Sequence, residues 1–230
     1  MAPNPNPNPN VNANPTPTPA SNPDSASDQE WKLDGGTAWI RPSSDRGIVK
    51  PLVLASKAGP GETDLAALRA RLYSTTDSFG EALRARGHDL ILLGFNDGAA
   101  PLADLADTVV EALRRTAAEQ TGDAPFAVGG IGRGALAVRY ALAGMEYRQE
   151  NHRAGTYFSF NGTAPSPEEH TDPAHHTSWP QIPKRLKLTI GEAPAALSDA
   201  DFDDTTAAPT DPNGLLFPGA QVTWLLNHLA

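Results

Sequence analysis

Residues 124–142 read Ala-Pro-Phe-Ala-Val-Gly-Gly-Ile-Gly-Arg-Gly-Ala-Leu-Ala-Val-Arg-Tyr-Ala-Leu. A short apolar run closes on Gly129-Gly130, passes through a tight Gly-x-Gly-x-Gly turn and enters an Ala/Leu-rich stretch of helical composition. The spacing is that of a Gly-x-Ser-x-Gly turn, which holds a serine nucleophile on a sharp strand-to-helix junction. The central residue here is Gly132. Acyl transfer needs a nucleophile, a base within hydrogen-bond reach and an acid that orients the base. Glycine supplies no nucleophile, and Ser56, Ser159, Ser166 and Ser178 stand on no comparable turn. His170, His175 and His176 cluster with Glu168, Glu169 and Asp172 in a Pro-rich stretch. That cluster reads as a surface loop, as a zinc donor set, or as the source of a general base, His175 or His176, at a pocket mouth. The run Asp199–Asp204 superficially resembles a calcium loop. It has Asp204 where the loop needs glycine and Thr210 where it needs glutamate, so calcium is not expected.

The elements that would position these groups follow from hydrophobic period. Glu30–Leu33 and Thr37–Arg41 alternate around Asp34-Gly35-Gly36, a hairpin signal. Val49–Ala55, His88–Phe95, the segment at Phe126, Gly155–Phe160 and Arg185–Ile190 read as strands. Helices are predicted from Asp64 with Leu65, Leu68 and Leu72 on one face, from Asp77 or Ser78 to Gly87, from Leu102 to Arg115, and after the glycine turn. Strands alternating with helices predict βαβ units, hence an α/β fold with a mostly parallel sheet and helices on both faces. Gly214–Phe217 and Gln221–Leu229 read either as a strand and a helix or as two strands.

Composition narrows the function classes. The 230 residues carry 18 Lys plus Arg against 27 Asp plus Glu, a formal net charge of −9. This argues against nucleic acid or an anionic membrane as the main partner. Cysteine is absent, which removes disulfides and thiolate chemistry and leaves the redox compartment unread. No apolar run reaches the roughly 18 residues of a membrane span, and no secretory leader pattern opens the chain; a cytoplasmic location is the expectation. Residues 1–28 are rich in Asn-Pro and Thr-Pro and offer almost nothing to bury, so a disordered tail is predicted ahead of a domain at 29–230. The tail reads as a solubilising extension or as a tether.

The chain resembles the α/β-hydrolase superfamily, and within it lipase- and esterase-like bacterial hydrolases. The resemblance rests on Gly129-Gly130-Ile131-Gly132-Arg133-Gly134-Ala135-Leu136, then Arg139-Tyr140-Ala141-Leu142, with Met145-Glu146, His152 and Tyr157-Phe158-Ser159-Phe160 continuing it. It spans about residues 49–192. Where such hydrolases carry an Asp-Ser-Pro-His-like segment, this chain has Asn161-Gly162-Thr163-Ala164-Pro165. The lid region, from Pro165 to Pro183, is short, and the only late histidine is His228. The resemblance implies an oxyanion hole built from the Arg133 amide and one amide of the Ser56–Gly59 loop, with Ser56, Lys57, Ala58, Ile131 and Asn161 as binding residues. It places Gly132 and Arg133 at the elbow and Glu192 or Asp199 where the triad acid is often found; with His176 from the histidine cluster, Gly132, Arg133 and Glu192 form the candidate catalytic set. The Arg133 side chain would either project over the pocket to hold an enolate or carboxylate, or lie exposed on the first turn of its helix.

Three functions follow. The first is a pseudo-hydrolase: a cofactor-independent enzyme of cyclase, isomerase or dehydratase type, metal-free, acting on a small apolar metabolite such as a polyketide in bacterial natural-product biosynthesis. The second is a serine esterase or lipase whose elbow serine has been changed to Gly132. The third is a non-catalytic binding or scaffold protein. Oligomeric state is not readable.

Overall fold

A computed structural model describes residue 1 and residues 29–74, 78–167, 169, 179–191, 197–210 and 216–229. The Asn/Pro-rich tail, at 1–28, lies outside the described residues except for Met1, and most of the short lid region also lies outside them.

The predicted hairpin forms, with β1 (Gln29–Leu33) antiparallel to β2 (Gly36–Arg41) and Trp31 opposite Ala38. Next come β3 (Pro51–Ala55), β4 (Asp89–Phe95) and β5 (Phe126–Ile131), buried along their whole length. Continuous apolar runs of this kind suit strands covered on both faces. The sheet is completed by β6 (Ala154–Phe160), β7 (Lys184–Ile190) and β8 (Asp204–Ala208). The strand order is β1-β2-β4-β3-β5-β6-β7-β8. β2 meets β4 antiparallel, and every pair from β4 through β8 is parallel.

Among the described residues five α-helices flank the sheet: α1 (Leu65–Leu72), α2 (Phe79–Ala85), α3 (Leu102–Glu119), α4 (Arg133–Tyr147) and α5 (Gly219–His228). Strand alternation sorts the core into two layers. Val53, Ala55, Ile91, Leu93 and Phe95 pack with residues of α3 and α4. Leu52, Leu54, Leu90 and Leu92 pack with residues of α1, α2 and α5. Each such fully buried aliphatic side chain contributes about 1.5–3 kcal/mol. Asp64 caps α1 as predicted, accepting from the Ala67 amide at 2.8 Å.

The structure departs from the sequence reading in three places. α3 runs on to Glu119 rather than stopping at Arg115. The undecided C-terminal stretch is helical from Gly219, with no strand among its described residues. Asp204, read as part of an acidic loop, opens strand β8. The sequence Asp-Thr-Thr-Ala-Ala hides that strand because it lies at the sheet edge, half-exposed along its length.

The chain passes from β3 to β4 on one side, then through α3 to β5 on the other. A crevice therefore opens at the carboxyl ends of β3 and β5, where α/β sheets bind ligands.

Candidate functional site

The glycine turn sits in that crevice. Gly132 joins β5 directly to α4 with φ 56° and ψ −124°, a conformation that costs an L-residue of order 1–3 kcal/mol. Its amide donates to the Phe160 carbonyl at 2.9 Å, which ties the turn to the end of β6. The three glycines serve different ends. A β-carbon on Gly130 would strike the Gly134–Ala135 peptide, and one on Gly134 would strike the Ser56 carbonyl. A β-carbon on Gly132 would meet only the Lys57 stem, Cγ at 3.4 Å and Cδ and Cε at 3.9 Å. The outer glycines are dictated by packing; the central one has room for a side chain and is favoured only by its positive φ. Methylenes of Lys57 lie over this position.

A cavity of about 740 Å³ opens here, lined by Ser56, Lys57, Ala58, Ile131, Gly132, Arg133 and Asn161 together with Glu62, Thr63, Asp64, Leu68, Arg71, Phe160, Thr163 and Leu216 among others. Seven of the residues singled out from the sequence thus surround one space. His176 and Glu192 lie outside the described residues. The sequence reading missed the wall from Glu62 to Arg71, since nothing in its composition separates it from an ordinary loop and helix. It becomes a wall because Thr63 is strapped inward. Its Oγ1 accepts from the Phe95 amide and pairs with Ser56 Oγ, both at 3.0 Å.

Of the loop amides, that of Ser56 donates to the Leu93 carbonyl at 2.8 Å and is spent. The Lys57 amide is next along and makes no backbone hydrogen bond among the described residues. The Arg133 amide opens α4 and has no intrahelical acceptor. The Ala58 and Gly59 amides likewise make no backbone hydrogen bond among the described residues.

The Arg133 side chain, at the cavity, is engaged within the protein. Nη1 donates to the carbonyls of Gly98 at 2.9 Å and Ala100 at 3.0 Å, and Nη2 to Glu169 Oε1 at 2.7 Å. It clamps two loops together. Burial works against charge on Glu169, but the Ser166 amide and Arg133 outweigh it and hold the carboxyl below its usual range. Asn161 lines the cavity yet spends its carboxamide on the backbone of Ile190. Its Oδ1 accepts from the Ile190 amide at 2.8 Å, and its Nδ2 donates to the Ile190 carbonyl at 3.2 Å. This fixes the end of β6 to the end of β7, and asparagine tolerates the φ of 44° found there.

The described histidines lie elsewhere. His88 precedes β4, His152 precedes β6, and His228 pairs through Nε2 with Asp204 at the start of β8, at 2.8 Å. All three sit at the amino edge of the sheet, about a strand length, roughly 15–20 Å, from the opposite edge where Gly132 lies. His152 is structural: Nδ1 accepts from the Ala154 amide at 2.9 Å, which leaves Nε2–H for Glu146 Oε1 at 3.2 Å. The connection between β8 and α5, residues 209–218, contains no histidine. The acidic run is taken up singly, Asp199 by Lys187 Nζ at 2.8 Å and Asp203 by the Arg185 amide at 2.7 Å. Among the described residues no cluster of three or more His, Asp or Glu is arranged to hold a metal. The His170, His175 and His176 group lies outside them.

No protein-family model matches the chain, and no curated protein matches it in sequence. Solved structures do match in fold. Carboxyl esterase 2 from the mycorrhizal fungus Tuber melanosporum aligns with a TM-score of 0.58 at 13% identity, over 92% of this chain and 87% of that one. Est1E from Butyrivibrio proteoclasticus gives 0.57 at 13% identity, over 87% and 98%. A lipase/esterase from Lactobacillus plantarum gives 0.53 at 10% identity, over 88% and 98%. The strand order, the mostly parallel sheet and these neighbours establish that the chain has an α/β-hydrolase fold, with glycine at the junction of β5 and α4.

Proposed function

We propose that this chain uses the α/β-hydrolase fold to bind a small, largely apolar molecule without hydrolysing it. One observation carries the reading. Loop residues 57–59 and the first residue of α4 line the cavity with amides that have no backbone acceptor among the described residues, while Gly132 offers no nucleophile and the 209–218 connection offers no histidine. The pocket walls at Ala58, Ala67, Leu68, Ile131, Phe160 and Leu216 are apolar, which suits a ligand with a hydrocarbon body and one oxygen aimed at the amides. Ring closure, isomerisation or dehydration would draw on the same amides for developing oxyanion charge. No described residue beside them has the geometry of a general base, so binding is the better supported part of the reading.

A second reading has its own support. A β-carbon at residue 132 meets only a flexible lysine stem, and two of the fold neighbours carry esterase in their names. This reading makes the chain an esterase that lacks only its serine. Gly132→Ser assayed on p-nitrophenyl butyrate separates the two. The binding reading expects no gain over the unaltered chain, since a serine without its base is not activated. Turnover at the ~1–10 s⁻¹ of ordinary enzymes would replace it with the esterase reading.

A further inference from the structure

Lys57 stands in an unusual place for a surface lysine. Its stem crosses the Gly132 position, with Cγ, Cδ and Cε all within 3.9 Å of where a β-carbon would be. Among the described residues it makes no ion pair and no side-chain hydrogen bond. The other charged groups around the cavity are Glu62, Asp64, Arg71 and Arg133. Asp64 caps α1, and Arg133 is held by Glu169 and two carbonyls. Arg71 belongs to α1. Of these cations, Lys57 is the one whose stem crosses the Gly132 position, beside the start of α4.

We infer that the cavity takes a carboxylate, and that Lys57 is its counter-ion at the place where a hydrolase would hold an ester. This rests on the small-molecule reading above and names its ligand class. One carboxylate oxygen accepts from the Arg133 and Lys57 amides, the other meets the Lys57 ammonium, and the hydrocarbon body lies against Leu68, Phe160 and Leu216. The absence of a side chain at residue 132 is what makes this arrangement possible. A serine hydroxyl there would stand between the lysine stem and the ligand carbon. The one ammonium at the turn, a compact point charge among largely apolar walls, suits a monoanion.

Octanoate and octanamide test this, being alike in shape and different in charge. The full chain, with Lys57→Met and Lys57→Arg variants checked for unchanged circular dichroism, is titrated with each while amide resonances are followed. The expected result is shifts at Lys57 and Arg133, with octanoate binding about five- to tenfold more tightly than octanamide. That preference should be lost in Lys57→Met, retained in Lys57→Arg and weakened by added salt. Equal affinity for the two probes, or a preference untouched by Lys57→Met, overturns the carboxylate inference and leaves the small-molecule pocket standing. If neither probe moves those amides at millimolar concentration, the pocket reading falls and the inference with it. Displacement of octanoate by equimolar inorganic phosphate overturns the monoanion assignment.

Discussion

At the residue scale the glycine turn separates packing from conformation. Gly134 lies against the Ser56 carbonyl, and Gly130 against the first turn of α4. Gly132 has only a movable lysine stem beside it. Alanine at the three positions should therefore give unequal losses. Gly132→Ala should cost about 1–3 kcal/mol through its positive φ alone. Gly134→Ala should cost clearly more, because strand and helix must move apart to admit the methyl group. Urea midpoints of the variants check this, and a Gly132→Ala loss as large as that of Gly134→Ala would show that the central position is also closely packed. Arg133 makes a related point. Its place after Gly132 is plain in the sequence, but its partner Glu169 is 36 residues away. No local pattern announces that pairing, so the guanidinium's role as a clamp emerges only once the loops meet.

At the element scale, the open ends of the strands are closed by single polar side chains. Asn161 makes two hydrogen bonds to Ile190, bridging β6 to β7 beside the cavity. Asn161→Ala should destabilise by about 1–3 kcal/mol. It should also speed hydrogen exchange at the Ile190 amide well beyond the change in β3; uniform loss of protection would mean the bridge is not a local fastener. At the opposite edge the buried Asp89 carboxylate accepts from the amides of Ser43 and Val49 at 2.6 Å and Lys50 at 2.8 Å. Asp89→Ala leaves three donors without their acceptor and should cost at least about 3 kcal/mol, read as a shift in Tm. β3, β4 and β5 were legible as strands because each is a continuous apolar run. β8 was not, because a half-exposed edge strand needs little hydrophobic pattern.

At the scale of the whole molecule, the shifted titrating groups bear on acid stability in one direction. Burial pushes His88 below its ordinary value, with Lys50 adding to the effect. A hydrogen bond from Arg114 lowers Glu150, and the Arg185 amide lowers Asp203. Glu169 is lowered as well. Each group binds protons more readily unfolded than folded. Their stabilisation is complete above the unfolded value and is lost as pH falls toward the folded one. The urea midpoint should be level between about pH 7 and about pH 9, fall gently from about pH 6.5 as His88 enters, and fall steeply below about pH 4.5 as the carboxylates follow. His88→Gln should remove the upper step alone; if that step persists, His88 is not its source. Among the described residues no helix is long and apolar enough to cross a membrane.

The sequence by itself determined the lack of a nucleophile at residue 132, the sheet's apolar strands and their alternation with helices, because these depend on residue identity and local period. That segment 209–218 is the connection after β8, and hence that its lack of histidine bears on catalysis, required the strand order. Tertiary structure alone decided that Arg133 faces Glu169, that Asn161 faces Ile190 and that the Lys57 stem crosses Gly132. Each of those meetings joins segments that the sheet brings together from 29 to 75 residues apart, and side chains at such separations choose partners only after the strands have taken their places.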